Sequence, residues 1–409
     1  MAMDAEERRK QRQEKEKARK AAYTRQLRFL AVGGVVILCL AAVLLITVLK
    51  RNHTAAPKPT RPTAAETTAA TEPPSTVIHL AFGGDLNVTE QTLASGGDTQ
   101  DYTETFMDVV PLLANADLTV LNVDGSVSSM PASMLRALAG AGVDMIQLAN
   151  SYSISDGVLG LASAIDGVRS AGMEPLGVYK NDQEYRAGKG YTIREVNGVK
   201  IAFVAFTKGM DGMTLPSGSR NCVNILYKDY DSTYQTVDTE RISAVLDAVA
   251  GENPDFTVAL LHWGSEFNNT ISDSQEKIRK LMTEKGVDAI VGTHSHYVQQ
   301  MVTDEETGTF TAYCLGDFFG NAERSGSEYS VVLDLEITKT QEKTEITDYS
   351  YTPIFTVNEE EKPLKLVRIE PAIHAYETDY NGKVSQPIYE AMQNALERIE
   401  KRIHPETEE

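Results

Sequence analysis

Short apolar runs alternate with helix-like segments along the chain from Val77 onward. Seven largely apolar runs have the length and composition of buried strands: VIHLAF, LTVLNV, VDMIQLA, VKIAFVAF, FTVALL, VDAIV and FTAYCL. Between them, segments 156–172 and 272–286 repeat apolar residues at helical spacing, and Ser272 and Gly286 are residue types that begin and end helices. Strands that alternate with helices in this way predict an α/β domain.

The end of the chain departs from this alternation. SVVLDLEI and TDYSYTPIFTV are two strand-like runs with no helix-like segment between them, which predicts antiparallel pairing. PIYEAMQNALERIEKRI, which starts at Pro387, has the pattern of one amphipathic helix. We therefore divide this part of the chain into a main domain, residues 77–356, and a C-terminal extension, residues 357–409, that carries the helix.

The hydropathy of residues 29–49 predicts a membrane anchor. These are 21 consecutive residues without a charge, and as a helix they would cross the roughly 30 Å hydrocarbon core of a bilayer. Residues 1–28 carry ten Lys/Arg against five Asp/Glu, and such a basic flank stays in the cytoplasm. Residues 50–76 contain five Pro, seven Thr and six Ala, which predicts an extended, disordered stalk. The sequence thus predicts a single-pass protein of the cell membrane, with its N-terminus cytoplasmic and its main domain extracytoplasmic.

The charge beyond the anchor is strongly negative. Removing the twelve basic and five acidic residues that precede Asn52 from totals of 39 and 58 leaves 27 basic and 53 acidic residues, a net charge of −26. A surface of this sign repels nucleic acid and other polyanions at long range. We therefore expect no nucleic acid partner, and an anionic ligand would need a local cation at its binding site.

Polar side chains that can bind metals stand at or directly after the ends of five predicted strands. They are Asp85, Asn122, Asp124, Asn150, His262, His294 and His296. In open α/β sheets, ligands gather outside the carboxyl ends of the strands, so these side chains are expected to lie close together. A mixture of carboxylate, amide and imidazole ligands is typical of Mn, Fe or Zn rather than Ca. The sequence therefore predicts a site for one or two divalent metal ions.

Most of these positions also have a purely structural interpretation. The GGD sequence that ends at Asp85 can form a simple turn, Asn150 can cap the following helix, and His262 can be a buried, hydrogen-bonded histidine. His294 and His296 differ, because alternate residues of an extended segment point to the same side. This pair is the feature that most favours metal binding when each feature is taken alone.

Six stretches resemble, in this order along the chain, the sequence blocks of the CapA family: GGDLNV, LNVDGSV, QLANSYSISDG, LLHWGSEF, VGTHSHYVQQM and YCLGDFF. The resemblance covers residues 77–321, and LHWG, GTHSH and LGDF are its most specific parts. Members of this family are membrane-anchored bacterial capsule and poly-γ-glutamate synthesis proteins with a metallophosphoesterase-like fold. The resemblance therefore implies a layered α/β/β/α domain behind a single N-terminal transmembrane helix and a stalk.

The resemblance also implies roles for individual residues. The implied metal ligands are Asp85, Asp124, Asn150, His262, His294 and His296. The implied neighbouring polar residues are Asn87, Asn122, Glu266 and Asp317. Asp124 stands where the family usually has Glu, and Asn87 stands where related phosphoesterases often have His. By this resemblance, Asn150, His262 and His294 would serve one metal and His296 the other.

The third block departs from the family pattern at two positions. The family reads Leu-Ala-Asn-Asn-His-Ala-Leu-Asp where this chain reads LANSYSIS, so Tyr152 replaces a histidine and Ser155 replaces an aspartate. In metallophosphoesterases that histidine assists the leaving group, and an acidic partner orients it. Loss of a general acid costs about 10²- to 10⁴-fold in rate, and tyrosine, with a reference pKa of about 10, is a poor replacement. The resemblance implies a hydrolase-type site in which Tyr152 occupies the catalytic position.

Three functions are compatible with these features. The first is a component of capsule or poly-γ-glutamate biosynthesis that handles an anionic polymer or its precursors through a divalent-metal site, beside other synthesis proteins in the membrane. The second is a metal-dependent phosphoesterase or related hydrolase. The third is a surface scaffold domain that has kept the fold without catalysis. Bound metal without turnover favours the first function, turnover favours the second, and a protein that binds no metal favours the third.

Overall fold

The structure is a computed structural model. It describes residues 75–320, 322, 324–378 and 384–405. These residues belong to one compact unit, Glu72–Glu409. The predicted cytoplasmic tail 1–28, the predicted membrane span 29–49 and all but the last two residues of the predicted stalk 50–76 lie outside the described residues. Across the described part of the chain, no helix is both long enough and apolar enough to cross a bilayer.

The described strands form two sheets. In chain order they are β1 (Thr76–Asn87), β2 (Leu118–Asp124), β3 (Met145–Gln147), β4 (Glu174–Leu176), β5 (Tyr191–Val196), β6 (Val199–Thr207), β7 (Phe256–His262), β8 (Ala289–Thr293), β9 (Met301–Thr303), β10 (Phe310–Ala312), β11 (Tyr329–Lys339), β12 (Thr344–Val357) and β13 (Lys365–Arg368). The first sheet has the order β13-β12-β11-β1-β2-β3-β4, and the second has the order β5-β6-β7-β8-β10-β9. Strands β1 to β4 are parallel to one another, as are β6, β7, β8 and β10. The remaining pairs are antiparallel.

Helices connect the parallel strands and complete the chain. The described α-helices are α1 (Glu90–Ala94), α2 (Thr103–Phe106), α3 (Val110–Leu113), α4 (Ala132–Gly140), α5 (Gly157–Ser170), α6 (Asp182–Gly188), α7 (Thr239–Ala250), α8 (Asp273–Glu284), α9 (Ile369–Glu377) and α10 (Gln386–Ile403). Single 3₁₀ turns occur at Met107–Val109 and Val127–Ser129. Helix α8 begins where predicted, because Ser272 and Gln275 form a capping box. The chain leaves α8 through Gly286, whose φ is 80°.

Alternation of side chains along each strand sorts the apolar residues into layers. In β1, Leu80 and Phe82 belong to the core between the two sheets, whereas Ala81 belongs to the core beneath α4 and α5. In β6, Phe203 faces the same core between the sheets, and Val204 faces the core beneath α7 and α8. The domain therefore has four layers: helices, sheet, sheet and helices. The prediction of a mixed α/β fold is confirmed.

The end of the chain completes both the first sheet and the core between the sheets. Strand β12 pairs antiparallel with β11 and β13, which confirms the predicted antiparallel finish. Helix α10 buries Met392, Ala395 and Ile399 in the core between the sheets. The segment 357–409, predicted to be an extension, thus contributes strand β13 and helices α9 and α10 to the same compact unit as the main domain.

The GGD sequence is part of a strand and not a turn. Strand β1 continues through Gly83 and Gly84 to Asn87, with a shift of register relative to β2 between Phe82 and Asp85. A Cβ at Gly84 would lie 1.8 Å from the carbonyl oxygen of Gly316, so only glycine allows this close approach of two backbones. The end of β1 is therefore in direct contact with the segment that follows β10.

Four aspartates share one structural position at the starts of parallel strands. Each directly precedes a strand and accepts a hydrogen bond from a backbone N–H of the neighbouring strand: Asp117 from His79, Asp144 from Thr119, Asp255 from Lys200 and Asp288 from Thr257. The backbone N–H of each aspartate donates in return to the carbonyl of the same partner residue. This paired contact fixes the register at the amino ends of the strands, so the opposite, carboxyl ends arrive in a defined alignment.

Asp255 and Asp288 occupy equivalent positions but have opposite pKa shifts. Burial raises the pKa of Asp288 to about 6 from an ordinary value of 3.8. Burial opposes ionisation of Asp255 as well, but Lys339 Nζ lies 2.5 Å from its Oδ2, and the pKa of Asp255 is lowered. The stability contributed by protonated Asp288 is present below pH 3.8 and is lost as the pH rises through about 6. The stability contributed by ionised Asp255 is present above pH 3.8 and is lost as the pH falls below it.

We expect Asp288→Asn to gain stability relative to the wild type, by about 1–2 kcal/mol, as the pH rises from about 4 to about 7. Asp255→Asn should show no such gain over this range, because the Asp255 carboxylate that pairs with Lys339 stays ionised throughout it. The free energy of unfolding, measured by chemical denaturation across this pH range, tests both variants. The same pH dependence in both would contradict the two assignments.

Candidate metal centre

The carboxyl ends of strands from both sheets meet at one buried cluster. The first sheet contributes Asp85 near the end of β1 and Asp124 at the end of β2. The second sheet contributes His262 at the end of β7, and the turn directly after β8 contributes His294 and His296. All five side chains belong to buried residues. The structure therefore brings together residues that are far apart in the sequence, such as Asp85 and His294, which are separated by 209 positions.

Asp85 links the two sheets directly. Its Oδ2 accepts a hydrogen bond from the backbone N–H of His294 at 2.8 Å, and its Oδ1 accepts one from Asn122 Nδ2 at 2.5 Å. The backbone N–H of Asp85 donates to the Gly316 carbonyl at 2.9 Å, and its carbonyl accepts from the N–H of Phe319 at 3.2 Å. This residue therefore holds the end of β1, the turn after β8 and the loop after β10 in one arrangement.

Two overlapping groups have potential ligand atoms that all lie within 4.8 Å of one another: Asp124 with His262 and His294, and Asp85 with Asp124 and His296. His262 Nε2 lies 3.5 Å from Asp124 Oδ1, and His296 Nε2 lies 3.8 Å from Asp124 Oδ2. Each oxygen of the shared carboxylate thus faces a different histidine. The histidines divide between the two groups in the way that the family resemblance implied, and metal binding itself stays a prediction.

His294 and His296 reach the cluster from a left-handed turn and not from an extended strand. Strand β8 ends at Thr293, and φ is 92° at His294 and 59° at His296. Such backbone angles are strained for residues with a side chain and persist where the surrounding structure enforces them, often at functional sites. The prediction that the rings share one side of an extended segment was wrong in its geometry. The ring centroids are 6.3 Å apart, and the ring planes are inclined by 50°.

Unpaired polar atoms test whether these residues fit a metal ion. Within the described residues, His294 Nδ1, Asp124 Oδ1 and Asn122 Oδ1 are buried and have no hydrogen-bond partner. A buried polar atom left unpaired costs about 1–3 kcal/mol. Imidazole nitrogen, carboxylate oxygen and amide oxygen are donors that Mn, Fe and Zn accept. The donor set therefore fits a divalent ion, which would satisfy atoms that the protein leaves unpaired.

Burial sets the protonation of most of the cluster. Burial raises the pKa of Asp85 to about 6 and raises the pKa of Asp124 well above its usual range, and the Asp85 charge adds to the shift of Asp124. Burial also lowers the pKa values of His262 and His294 well below the usual histidine value. Neutral imidazole is the form that binds metals, and a nearby cation stabilises paired carboxylates as anions. The electrostatics of the cluster therefore suit a bound cation.

His296 has the opposite pKa shift. Burial lowers the pKa of His296, but Asp317, Asp85 and Asp124 outweigh burial and raise it to about 10. The Nδ1 atom of His296 lies 2.7 Å from Asp317 Oδ1, and its ring stacks on Phe267 with centroids 4.8 Å apart. Asp317, predicted to be a neighbouring polar residue, therefore orients the ring of His296, as carboxylates behind metal-binding histidines do.

In the third sequence block, LANSYSIS, the side chain that faces the cluster is that of Ser151 and not that of the predicted Asn150. Asn150 is buried, but its Nδ2 donates to the Val123 carbonyl and its Oδ1 accepts from the N–H of Tyr152 at 2.7 Å. The next residue, Ser151, faces the cluster with its Oγ 3.1 Å from His262 Nε2. Ser151 therefore contacts a candidate metal ligand, whereas the Asn150 amide is engaged with backbone and its ligation stays a prediction.

Tyr152 lies at the surface of the site and is 40% exposed. Partial burial raises its pKa above the usual tyrosine value, and Asp124 and Glu266 add to the shift, so the hydroxyl keeps its proton at neutral pH. Ser155 does not orient the ring, because its Oγ donates to the backbone carbonyl of Tyr152 at 3.0 Å. The two positions that depart from the family pattern thus provide a weak proton donor without an orienting partner.

Two open clefts reach the cluster, and both are lined by Tyr152 and Glu266. The first cleft, of about 360 Å³, also contains Ser151, Lys208, Asp211 and His294. The second cleft, of about 270 Å³, also contains Asn87, Asp124, His296, Asp317 and Arg324. Asn87 and Glu266 therefore lie at the mouth of the site, where they can meet a ligand but stand outside the two candidate metal groups.

Sequence reasoning missed Ser151, Lys208 and Arg324. Lys208 directly follows β6, and its backbone N–H donates to the His262 carbonyl at 2.8 Å. The strand-end rule that selected the other residues therefore also applies to Lys208. Ser151 is adjacent to Asn150 and was within reach of the same rule. Arg324 lies in a loop between β10 and β11, and no pattern in the sequence marks it.

The fold and the site together define the class of this protein: it is a mixed α/β protein with a carboxylate–histidine cluster, capable of metal binding, at the ends of its strands. The sequence model described as bacterial capsule synthesis protein PGA_cap matches residues 79–322 of this chain. The chain belongs to this family, which confirms the resemblance to CapA proteins seen in its sequence blocks.

Curated relatives agree with this family. Capsule biosynthesis protein CapA of Bacillus anthracis is 28% identical over 184 residues, which are 45% of this chain and 42% of the relative. PGA biosynthesis protein CapA of Bacillus subtilis strain 168 is 26% identical over 174 residues, which are 42% of each chain. The chain thus spans well under half the length of these two relatives.

Solved structures similar to this chain include phosphoesterase-type proteins. The calcineurin-like phosphoesterase YfkN of Bacillus subtilis is 15% identical, with a TM-score of 0.43, over 80% of this chain and 100% of that one. A 5′-nucleotidase of Candida albicans is 11% identical, with a TM-score of 0.42, over 79% of this chain and 57% of that one.

We expect the full-length protein in detergent to bind up to two Mn²⁺ ions per chain. His294→Ala and His296→Ala should each remove one ion, because each histidine belongs to a different group. Asp124→Ala should remove both ions, because its carboxylate is common to both groups. Elemental analysis after dialysis measures the metal content per chain.

His79→Ala is the matched control for this experiment. His79 lies near the start of β1, and its Nδ1 is 2.8 Å from Asp334 Oδ1, so it belongs to neither group. This variant should keep the wild-type metal content. Equal metal content in the Asp124→Ala and His79→Ala variants would mean that the cluster is purely structural.

Proposed function

We propose that the protein is a membrane-anchored, extracytoplasmic component of capsule or poly-γ-glutamate biosynthesis, which handles an anionic polymer or its precursors at a divalent-metal site. Membership of the PGA_cap family supports the biosynthetic process, and two relatives are named for capsule and PGA biosynthesis. The uncharged segment 29–49 and its basic flank support a single anchor with a cytoplasmic N-terminus. The proposed partners are the polymer, the membrane and other membrane proteins of the same synthesis apparatus.

The observation that carries the proposal is the pair of metal-capable groups that share Asp124: His294 of the first group lines the first cleft, and Asp124 and His296 line the second. The protein has a net charge of −19, so its surface repels an anionic polymer. A divalent ion held by the cluster would supply positive charge and could polarise a carbonyl or phosphoryl oxygen of the ligand. The acidic cluster thus becomes a site for anions when it holds a cation.

The surrounding side chains have separate tasks in this proposal. The five residues that hold the ions are Asp85, Asp124, His262, His294 and His296. Asp317 keeps the His296 ring in place through a 2.7 Å contact. Tyr152 lines both clefts and offers a protonated hydroxyl that can donate a hydrogen bond to a bound chain. These residues bind and orient a ligand without an efficient acid–base pair.

The proposal predicts metal-dependent binding of a short polymer. We expect Mn²⁺-loaded full-length protein in detergent to bind a fluorescent γ-linked glutamate hexamer. Removal of the metal by a chelator, or the Asp124→Ala change, should lower the affinity at least about tenfold, equivalent to about 1.4 kcal/mol. Fluorescence polarisation measures the affinity, and His79→Ala again serves as the control. A wild-type protein that does not bind the hexamer would contradict the proposal.

A metal-dependent phosphoesterase is the second candidate function. The observation that favours it is the shared Asp124, because a bridging ligand is typical of two-metal sites that stabilise attacking and leaving oxygens. Tyr152 and Ser155 argue against efficient turnover. Among the described residues, no carboxylate forms a hydrogen bond with the Tyr152 hydroxyl, and Ser155 bonds to the backbone of Tyr152 instead. We therefore expect slow or undetectable phosphoester hydrolysis by the natural protein.

The double change Tyr152→His with Ser155→Asp should raise hydrolysis of a generic phosphodiester by about tenfold or more, because it restores an acid and its orienting partner together. Each single change should do less, since residues that act as a unit are not additive. Steady-state rates with Mn²⁺ measure the effect. A fast natural protein that Tyr152→Phe inactivates would instead show that Tyr152 is itself catalytic.

A further inference from the structure

Each of the two clefts contains one lysine or arginine side chain that packs on an aromatic ring. In the first cleft, Lys208 Nζ lies 4.6 Å from the centroid of the Tyr234 ring. In the second cleft, the guanidinium carbon of Arg324 lies 4.0 Å from the centroid of the Phe267 ring. No carboxylate of the described residues forms an ion pair with either side chain. An aromatic face attracts a cation through its quadrupole and leaves its charge in place, so both charges remain for a ligand.

The backbone holds Lys208 beside the first metal-capable group. Its N–H donates to the carbonyl of His262, which ends β7, at 2.8 Å. Its Nζ donates to the carbonyl of Gly264 at 2.7 Å. Lys208 is therefore fixed at both ends against the segment that contains His262, and its ammonium group lies at the wall of the cleft that also contains His294.

Arg324 stands in the same relation to the second group. The Phe267 ring that it covers also stacks on the ring of His296, with centroids 4.8 Å apart. The backbone N–H of Phe267 donates to the carbonyl of Ser295 at 2.8 Å, which ties this ring to the turn that contains His296. Arg324 therefore flanks the second group, as Lys208 flanks the first.

We infer that Lys208 and Arg324 are specificity-determining residues that hold two separate negative charges of one linear ligand, one on each side of the metal-capable groups. Both clefts are lined by Tyr152 and Glu266, so a chain that occupies both clefts passes over the cluster. The inference rests on the proposed function and specifies the ligand further, as a linear polymer in which each repeating unit carries one negative charge.

The acidic walls of the clefts favour single charges over doubly charged phosphate groups. The first cleft contains Asp211 and Glu266, and the second contains Asp124 and Asp317. Because carboxylates surround each cation, one cation can offset a ligand group with one negative charge more readily than a group with two negative charges. The repeated carboxylates of a γ-linked glutamate chain have this charge pattern, and a phosphodiester chain has the same charge per unit.

Chain length provides the test. Fluorescent γ-linked glutamate oligomers of one, three and six residues are titrated with Mn²⁺-loaded full-length protein in detergent. Wild-type affinity should rise with length, because only a longer chain reaches both cations. Lys208→Gln and Arg324→Gln should each lower the affinity for the hexamer about tenfold and leave that for the single residue within about twofold. The metal content of both variants should equal that of the wild type.

Three further variants separate a ligand contact from a structural role. Lys280→Gln, at an exposed position on α8, removes the same charge away from both clefts and should bind the hexamer like the wild type. Lys208→Arg and Arg324→Lys keep the charge and should restore most of the affinity. The thermal unfolding midpoint of each variant shows whether the fold is intact.

The outcomes distinguish this inference from the proposed function. Hexamer binding that is as tight in Lys208→Gln and Arg324→Gln as in Lys280→Gln would overturn the inference and leave the proposed function in place. A wild-type protein that binds no oligomer would overturn both. A glycerol phosphate oligomer of equal charge, titrated in parallel, distinguishes the two chains: tighter binding of the glutamate hexamer supports carboxylates as the source of the charges, and tighter binding of the phosphate oligomer overturns them.

Discussion

The hydrogen bond from the backbone N–H of His294 to the carboxylate of Asp85 is the contact on which the site depends, because it joins the two sheets where their strands end. Asp85 lies in the first sheet, whereas His294 begins a strained turn at the end of a strand in the second. The bond holds that turn, in which His294 and His296 belong to different candidate groups that share Asp124. Since the Asp85 carboxylate is fully buried, its partners must stay in place to offset the cost of burial.

The charge of the protein places a second constraint on the site. The chain carries a net charge of −19, and its cluster concentrates buried carboxylates, of which Asp124 and Asp317 line the second cleft. An anionic ligand can approach such a surface only through local positive charge. A divalent ion held by Asp124 would supply this charge at the centre, and by our inference Lys208 and Arg324 would extend it on both sides. Each of these two side chains stands on an aromatic ring, which leaves its positive charge available to a ligand.

The strand ends were predictable from the sequence because buried parallel strands are short apolar runs that stop at polar residues. The same runs contain a signal that the sequence interpretation overlooked, since an aspartate such as Asp288 directly precedes four of the parallel strands and fixes their register. The backbone of His294 and His296 was not predictable, because contacts with distant Asp85 and not local spacing impose the left-handed turn. The place of Arg324 in the site was not predictable for a similar reason, since only folding of the chain brings its loop to Phe267.

The central claim is that the two oxygens of Asp124 face two separate ion positions. Anomalous X-ray diffraction from crystals grown with Mn²⁺, measured on both sides of the manganese absorption edge, locates such ions directly. The account predicts two anomalous peaks, one among Asp124, His262 and His294 and the other among Asp85, Asp124 and His296. Peaks only at the protein surface, with Asp124 bonded solely to protein atoms or water, would contradict it.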